Sequence, residues 1–195
     1  MWDQRYNTPE FVYGEEPNSF LVENTQYLMP GSLLCLAEGE GRNGVFLARK
    51  GFQVIAVDSS MVGLQKARAL AARHKVELRT VVADLAEYVI EPESVDNVVS
   101  IFCHLPPEVR KRIHGAVVNG LKPGGVLILE AYTPDQLLLK TGGPPVKEMM
   151  MTLGELRSEL AGLDFVFAQE IEREVVEGRL HTGVGAVVQV IAKKP

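Results

Sequence analysis

Three glycines, Gly39, Gly41 and Gly44, follow an apolar run of strand length and precede a segment with helical periodicity. Their spacing satisfies the pattern G-x-G-x-x-G in the strand-turn-helix setting where that pattern is informative. Glycine lets the backbone turn tightly at such a point and lets a ligand approach the main chain closely. The loop therefore favours a nucleotide-like cofactor, and the alternative is an ordinary tight turn between a strand and a helix.

Two aspartates end the next apolar runs, Asp58 about 20 residues after the loop and Asp84 after the run that follows. In an open α/β sheet the ligand crevice lies at the carboxyl ends of the strands, so both acids are predicted to face it. An acid at the position of Asp58 accepts hydrogen bonds from ribose hydroxyls. Each aspartate has a simpler interpretation as the N-cap of the following helix. Their shared position at strand ends favours the ligand-binding interpretation.

The acidic residues of the loop bear on whether the cofactor is a dinucleotide or another adenosine-bearing molecule. A dinucleotide places its pyrophosphate over this turn, at the N-terminus of the helix. Glu38, immediately before Gly39, and Glu40 within the loop would repel that pyrophosphate. Two unit charges about 4 Å apart interact by about 4 kcal/mol at a surface-like dielectric. A carboxylate suits a cationic group instead, such as the α-amino group of S-adenosylmethionine (SAM), so SAM is the favoured cofactor.

The elements that position these residues alternate between strands and helices as far as residue 131. Such alternation implies crossover connections and a parallel sheet covered on both faces. A T-x-x-E capping box at Thr152 and Glu155 then begins a helix that two strands follow directly, so these strands are predicted to pair as an antiparallel hairpin. The predicted strands are 32–37, 53–58, 76–84, 95–102, 126–131, 164–176 and 185–193, and the earlier predicted helices are 43–50, 61–75 and 108–121.

Length and composition restrict the remaining possibilities. The 195 residues suit one domain, and no linker or repeat divides them. The net charge of −5 argues against a general nucleic-acid binder, and no apolar run is long enough to span a membrane. Cys35 and Cys103 lie in apolar runs, which predicts packed, reduced thiols, and the first residues lack the features of a signal peptide. We therefore expect a cytoplasmic protein, either a monomer or a homodimer.

With these residues in place, the chain resembles the class I SAM-dependent methyltransferases, in particular the branch that contains the tellurite-resistance and thiopurine methyltransferases. The resemblance extends over nearly the whole chain, and Glu38 stands where the family's motif usually has aspartate. The matching segments are the loop 38–44 with its Gly-Arg-Asn, Val-Asp-Ser at 57–59, Val-Ala-Asp-Leu at 82–85, Lys-Pro-Gly-Gly at 122–125, Gly-Glu-Leu-Arg at 154–157 and the closing hairpin.

The resemblance implies a fold and a set of cofactor-binding residues. The fold is a Rossmann-like, doubly wound α/β sheet of seven strands in the order 3-2-1-4-5-7-6, with the last strand antiparallel. Glu38 and the backbone of Gly39 and Gly41 would hold the methionine portion of SAM. Asp58 would take the ribose hydroxyls, with Ser59 beside the adenosine. The predicted set is completed by Asn43, Asp84, Leu85 and Phe102.

Two histidines are the candidates on the acceptor side. His104 follows the fourth predicted strand, and His181 lies by the predicted hairpin turn, where it resembles a Leu-His of the tellurite-resistance relatives. Each could orient an acceptor or take a proton, and each has a simpler interpretation: capping or packing for His104, an exposed turn for His181. Cys103 is interpreted as packing. The Asn/Asp-Pro-Pro-Tyr motif of enzymes that methylate nucleic-acid amines is absent here, and no Cys/His cluster has metal-ligand spacing.

The chain as a whole is predicted to be one methyltransferase domain over residues 1–195. Residues 1–31 form an aromatic leader that is predicted to act as a lid, residues 32–195 form the cofactor-binding core, and 141–145 are a second candidate lid. With no further domain to grip a macromolecule, we expect a small-molecule acceptor: a thiol, an amine or a metalloid oxyanion. The alternatives are an NAD(P)-dependent oxidoreductase, supported by the glycine pattern alone, and a SAM-binding regulator without catalysis.

Overall fold

A mixed sheet with one reversed strand organises the chain, and the computed structural model describes it over residues 2–195. The strands are β1 Ser32–Leu36, β2 Gln53–Asp58, β3 Arg79–Val82, β4 Val95–Ile101, β5 Leu121–Tyr132, β6 Asp164–Glu177 and β7 His181–Lys193. They lie side by side in the order β3-β2-β1-β4-β5-β7-β6. β7 is antiparallel to both neighbours, and the other pairings are parallel. This order and the reversed last strand confirm the predicted fold.

Helices connect and cover the strands. They are α1 Trp2–Tyr6, α2 Ser19–Asn24, α3 Arg42–Arg49, α4 Met61–Arg73, α5 Pro107–Gly120, α6 Gln136–Leu139 and α7 Leu153–Glu159. α4 shows why they form: Ser60 caps its first turn by accepting from the Gly63 N–H at 3.0 Å, and its buried residues recur at helical spacing. None of the helices within residues 2–195 has both the length and the apolar character needed to cross a membrane.

The strand order creates a crevice beside β1. β2 and β3 lie on one side of β1, whereas β4 and β5 lie on the other, so successive connections turn away from each other at the carboxyl ends of β1 and β4. Ligands of open α/β sheets bind at such a switch point. Residues 33–36 of β1 are all buried, as expected for a central strand covered on both faces.

The two cysteines belong to different halves of the core. Cys35 packs in the cluster with Leu33, Leu47 and Phe20, whereas Cys103 packs in the cluster with Ile113 and other α5 and α7 residues on the opposite face of the sheet. Both are buried, free thiols. Burial raises the pKa of Cys103 to about 12, so this side chain is protonated and packs as an apolar residue.

The closing hairpin is longer and tighter than predicted. Only residues 178–180 form the turn, and β7 begins at His181 rather than at Gly185. Gly183 and Gly185 have low strand propensity, which obscured the start of this strand. Pairing of Val176 with Thr182 and of Glu177 with His181 extends the ladder to the turn. His181 is therefore a buried strand residue, and its interpretation as an exposed turn residue is wrong.

Two other predicted boundaries differ by a few residues. α4 ends when Lys75 takes a left-handed backbone conformation, and Val76 donates its N–H back to Ala71, so β3 begins at Arg79 instead of at 76. α5 ends at Gly120, and the segment from Leu121 already pairs with β4 across an irregular register. In both cases a local backbone hydrogen bond or bulge decides the boundary, which periodicity alone does not resolve.

The leader is fastened to the core across the glycine loop. Lys66 on α4 donates to the leader carbonyls of Tyr6, Thr8 and Glu10 at 3.4, 3.1 and 2.6 Å. Glu40 accepts from the Val12 N–H at 2.8 Å and pairs with the Lys66 ammonium. One lysine and one glutamate thus hold the first part of the chain over the carboxyl edge of the sheet.

Candidate functional site

A cavity of about 410 Å³ lies at the carboxyl edge of the sheet, between the strand ends, the leader and the segment 143–149. Its volume is in the range of small-molecule sites. All the predicted side chains line it: Glu38, Asn43, Asp58, Ser59, Asp84, Leu85, Phe102, His104 and His181. Gly39 and Gly41 are not among the lining residues.

The glycines of the loop serve close packing as well as a tight turn. Gly39 has φ +61°, and a Cβ there would lie 2.6 Å from the Tyr6 hydroxyl. Gly41 has φ +96°, and a Cβ there would lie 2.6 Å from the Ala67 Cβ. The first glycine therefore admits the leader, and the second admits α4.

Glu38 is a buried carboxyl that braces the loop from inside. Its Oε1 accepts from the Gly44 N–H at 2.6 Å, and only 8% of the residue is exposed. Burial raises the pKa of Glu38 to about 7, against the opposing effects of the Gly44 N–H and the Arg42 guanidinium. A cationic ligand group beside Glu38 would favour its ionised form.

Asp58 is oriented by backbone donors at the end of β2. Its Oδ2 accepts from the Gly39 N–H at 2.8 Å, and its Oδ1 accepts from the Ser60 N–H at 2.7 Å. Burial raises the pKa of this carboxyl, while both backbone N–H groups oppose the shift. Each carboxylate oxygen can accept more than one hydrogen bond, so acceptor capacity remains for a ligand with paired hydroxyls.

The neighbouring residues on this side complete a polar rim and an apolar floor. Ser59 and Asp84 are exposed at the cavity, and Asp84 accepts from the Ala86 N–H at 2.8 Å. Leu85 is buried beneath them. This alternation of polar and apolar side chains suits a flat heterocycle with hydrogen-bonding edges.

The contacts of Glu40 differ from those predicted from the sequence. We expected its charge to repel a pyrophosphate, but the carboxylate pairs with Lys66 and accepts from the N–H groups of Val12 and Tyr13. Its charge is therefore largely compensated, and its main contacts are with the leader. The expectation of a cationic ligand group therefore depends on Glu38 alone.

Asn43 connects α3 to the leader. Its Oδ1 accepts from the Asn18 N–H at 2.9 Å, and the residue is 5% exposed. Asn18 in turn caps α2 and donates to both Glu130 and Glu177 at 2.7 Å. Asn43 thus reaches the cavity as part of a buried polar network.

That network contains two close ion pairs and a third, longer one between Arg173 and Glu177 at 3.6 Å. Arg42 pairs with Glu177 at 2.5 Å, and Arg173 donates from Nε to Glu130 at 2.6 Å. Two cations and two anions balance, as buried charges require. Sequence reasoning missed this network; Arg42 was visible in the Gly-Arg-Asn motif, but no local pattern connects it to Glu177.

The other side of the cavity is aromatic. Phe102 directly follows β4 with φ +50°, a left-handed conformation that is costly for a residue with a side chain. This backbone geometry brings its ring to 4.5 Å from Tyr132 and 5.0 Å from His181, between ring centroids. Tyr13 from the leader approaches His181 at 4.7 Å.

His104 is oriented as a hydrogen-bond donor. Its Nε2 accepts from the Tyr132 N–H at 3.0 Å, which places the proton of the neutral ring on Nδ1. Burial, followed by the neighbouring His181, lowers the pKa of His104 to about 3. In this arrangement it can donate from Nδ1 to an acceptor, and a role as proton acceptor would require breaking the bond to Tyr132.

His181 has an unpartnered nitrogen. The residue is 9% exposed, and its Nδ1 is buried without a hydrogen-bond partner among the described residues. Burial lowers the pKa of His181 to about 3, and the positive charges of Arg42 and Arg5 act in the same direction. A neutral imidazole with unused hydrogen-bonding capacity therefore faces the cavity.

Across residues 2–195, no group of three or more His, Cys, Asp or Glu side chains has the arrangement of a metal site.

Part of the chain matches a known family model. Residues 33–125 match the family model of a methyltransferase domain. A carboxy-S-adenosyl-L-methionine synthase from Geobacter sp. (strain M21) is 37% identical over 90 residues, which cover 43% of this chain and 35% of that protein. The chain spans about a third of the length of the curated relatives it matches.

Solved structures share the fold at low sequence identity. A SAM-dependent methyltransferase from Methanosarcina mazei is 20% identical with a TM-score of 0.72, and the match covers 92% of this chain and 98% of that one. TehB from Haemophilus influenzae is 19% identical with a TM-score of 0.73, and the match covers 100% of this chain and 66% of that one.

Proposed function

We propose that the chain is a class I SAM-dependent methyltransferase and that it transfers a methyl group from SAM to a small-molecule acceptor. The observation that carries this proposal is the pair of buried carboxyls, Glu38 and Asp58, on the wall of one cavity. A cationic amino group and a ribose diol are the groups that such carboxyls would satisfy.

Several residues would hold the cofactor. Glu38 would accept from its amino group, Asp58 from its ribose hydroxyls, and Asp84 with Leu85 would contact the adenine. Ser59 would lie beside the adenosine, and the Phe102 ring and Asn43 would bound the methionine portion. The retained acceptor capacity of Asp58 fits this assignment, since its two backbone donors leave further lone pairs on each oxygen.

When bound, SAM supplies an electrophilic methyl group, which bonds to the acceptor's lone pair as the carbon–sulfur bond breaks and its electron pair stays on sulfur. The contribution of the chain is to hold both reactants in line and to keep water out. Positioning is worth up to about 7–11 kcal/mol in well-oriented reactions. Trp2, Tyr6 and Tyr13 would exclude water from above, which limits solvent reorganisation.

Calorimetry with SAM and with its demethylated product, S-adenosylhomocysteine, tests the cofactor assignment. Asp58→Ala is expected to weaken binding by about 2–5 kcal/mol, because hydrogen bonds to a charged acceptor are lost. Asp58→Asn keeps one acceptor oxygen and should weaken binding less. Thermal unfolding without ligand must accompany both, since Asp58 also braces Gly39 and Ser60.

Asp96→Asn is the matched control for this experiment. Asp96 also accepts from a backbone N–H, that of Ser32 at 2.8 Å, but it lies at the opposite end of the sheet. Its substitution should leave the binding of both ligands unchanged. Failure of the folded wild-type chain to bind either ligand would overturn the proposed function.

The two alternatives lead to different results. The family match argues against an NAD(P)-dependent oxidoreductase, and nicotinamide binding tighter than SAM binding would reverse that conclusion. A regulator without catalysis would bind SAM yet transfer no labelled methyl group to a broad set of small thiols, amines and oxyanions. We retain the leader, residues 1–31, as a proposed lid over the core of 32–195; the oligomeric state, monomer or homodimer, stays a prediction.

A further inference from the structure

One wall of the cavity carries positive charge and hydrogen-bonding capacity but no acid. It is formed by Arg5 and Tyr13 of the leader and His181 of the hairpin, here called the leader–hairpin wall. Arg5 Nη1 donates to the Tyr13 hydroxyl at 3.0 Å, and the Tyr13 ring lies 4.7 Å from the His181 ring. Glu40 approaches the Tyr13 backbone, but its charge is paired with Lys66.

Arg5 and Arg42 both line the cavity, and within the described part of the chain only Arg42 is paired with a carboxylate. Arg42, Arg73, Arg110 and Arg173 each form an ion pair. Among the described residues Arg5 has no carboxylate within 4.0 Å, and its guanidinium lies 4.7 Å over the Trp2 ring. Stacking on an aromatic ring and donation to a hydroxyl leave most of its five N–H donors for a ligand.

His181 offers an unused hydrogen-bonding atom on the same wall as Arg5. Its Nδ1 is buried without a partner among residues 2–195, which is costly unless an occupant of the cavity supplies one. Phe102 and Tyr132 surround the same ring at 5.0 and 5.3 Å, so the space beside it suits an apolar body.

We propose that the methyl acceptor is a small anion with an apolar, planar body, whose negative charge is bound by Arg5 and whose edge is hydrogen-bonded by His181. This inference rests on the proposed function, because it names the substrate class of the same cavity. It narrows the three acceptor classes considered from the sequence by excluding cationic amines.

The histidines beside the cavity are weak bases, which supports the same acceptor. His104 has its Nε2 occupied by the Tyr132 N–H, and burial lowers the pKa of both His104 and His181 to about 3, so each is a poor proton acceptor. The carboxyls that line the cavity, Glu38, Asp58 and Asp84, belong to the strand ends where the cofactor is proposed to bind. If the anionic atom itself takes the methyl group, the acceptor has no proton to lose, so transfer to it requires no base.

Three probes of nearly equal shape and different charge test the proposal: benzoate, benzamide and benzamidinium. Their binding is measured by calorimetry on the full chain saturated with S-adenosylhomocysteine. We expect benzoate to bind at least about tenfold more tightly than benzamide, as one charge-assisted bidentate contact would give, and benzamidinium not to bind detectably. Arg5→Gln should remove the preference for benzoate while leaving benzamide binding unchanged.

Arg157→Gln is the matched control, because Arg157 also stacks over an aromatic ring, Phe165 at 4.8 Å, but lies away from the cavity. It should leave all three affinities unchanged. His181→Phe keeps an aromatic ring without nitrogen and should weaken benzoate binding several-fold.

Equal or undetectable binding of the three probes, or an Arg5→Gln variant that still prefers benzoate, would overturn the anionic acceptor. In that outcome, intact binding of S-adenosylhomocysteine would leave the proposed function standing. Failure of S-adenosylhomocysteine to bind the wild-type chain would instead remove the proposed function and this inference with it.

Discussion

At the glycine loop the cavity is built from residues close together in sequence, whereas at the leader and hairpin it is built from residues more than a hundred positions apart. Glu38 and Gly44 are 6 residues apart, and Gly39 and Asp58 are 19 apart. By contrast, Arg42 and Glu177 are 135 apart, and Asn18 and Glu177 are 159 apart. The first end can form as soon as the β1-α3-β2 unit forms, and the second end needs nearly the whole chain.

The two ends also satisfy their acids differently. Glu38 and Asp58 accept from backbone N–H groups, so their surroundings are fixed by the turn itself. Glu130 and Glu177 accept from arginine and asparagine side chains, which must be brought together by packing. Substitutions at the loop end should therefore change mainly ligand affinity, and substitutions at the hairpin end should change mainly the stability of the fold.

The largest expected effect is on stability at the hairpin end. Glu177→Ala leaves Arg42 buried without its partner and should lower the free energy of unfolding by about 3–5 kcal/mol. Urea denaturation measures this loss. Glu174→Ala, an exposed position on the same strand, should change stability by less than about 0.5 kcal/mol. Equal effects of the two substitutions would show that the network does not stabilise this end.

The next effect concerns the pH dependence of stability at the loop end. The pKa of Glu38 is raised to about 7 in the folded chain from 4.5, so the folded state binds the extra proton between these values. The contribution of Glu38 is therefore most favourable below pH 4.5 and is lost as pH rises through about 7, by up to about 3 kcal/mol.

Glu38→Gln removes this ionisation. The free energy of unfolding of the variant, relative to that of the wild type, should increase from about pH 5 to about pH 8. The affinity of the variant for SAM should be lower than that of the wild type. Urea denaturation at the two pH values, together with calorimetry, tests both parts. A stability difference that does not vary with pH would contradict the assigned burial of the Glu38 charge.

The smallest effect tests the leader. Deleting residues 1–17 keeps Asn18 and its contacts with Glu130 and Glu177 but removes Trp2, Tyr6 and Tyr13 from the cavity. Affinity for S-adenosylhomocysteine should fall about tenfold, because water regains access, while the circular dichroism spectrum remains that of a folded α/β chain. Unchanged affinity would show that the leader packs against the core without contributing to ligand binding.

The difference in sequence separation between the two ends explains which features could be predicted from the sequence. The sheet and the loop-end residues followed from strand-turn-helix spacing, because Asp58 ends β2, and Glu38 and Asp84 lie two residues beyond the ends of β1 and β3. The seven-strand order and individual roles came from the family resemblance, not from the spacing. Glu38 and Asp58 are buried and Asp84 is exposed, and all three accept from nearby backbone N–H groups.

The hairpin end could not be derived in this way. No local pattern pairs Arg42 with Glu177 or places Asn18 between two glutamates, since these contacts depend on tertiary packing. His181 was named as a candidate, but its burial depended on where β7 begins, and two glycines obscured that boundary. Arg5 was not singled out, because an arginine in a leader has no distinguishing spacing.

The close approach of Gly41 to Ala67 affects how such motifs can be used to trace descent. A side chain at position 41 would collide with α4 whether or not any ligand is bound. A descendant that had lost its cofactor would therefore be under the same steric constraint and could keep the glycine spacing. The glycine pattern alone thus indicates only that a loop and a helix pack closely. The carboxyls at the strand ends are better markers of an active enzyme.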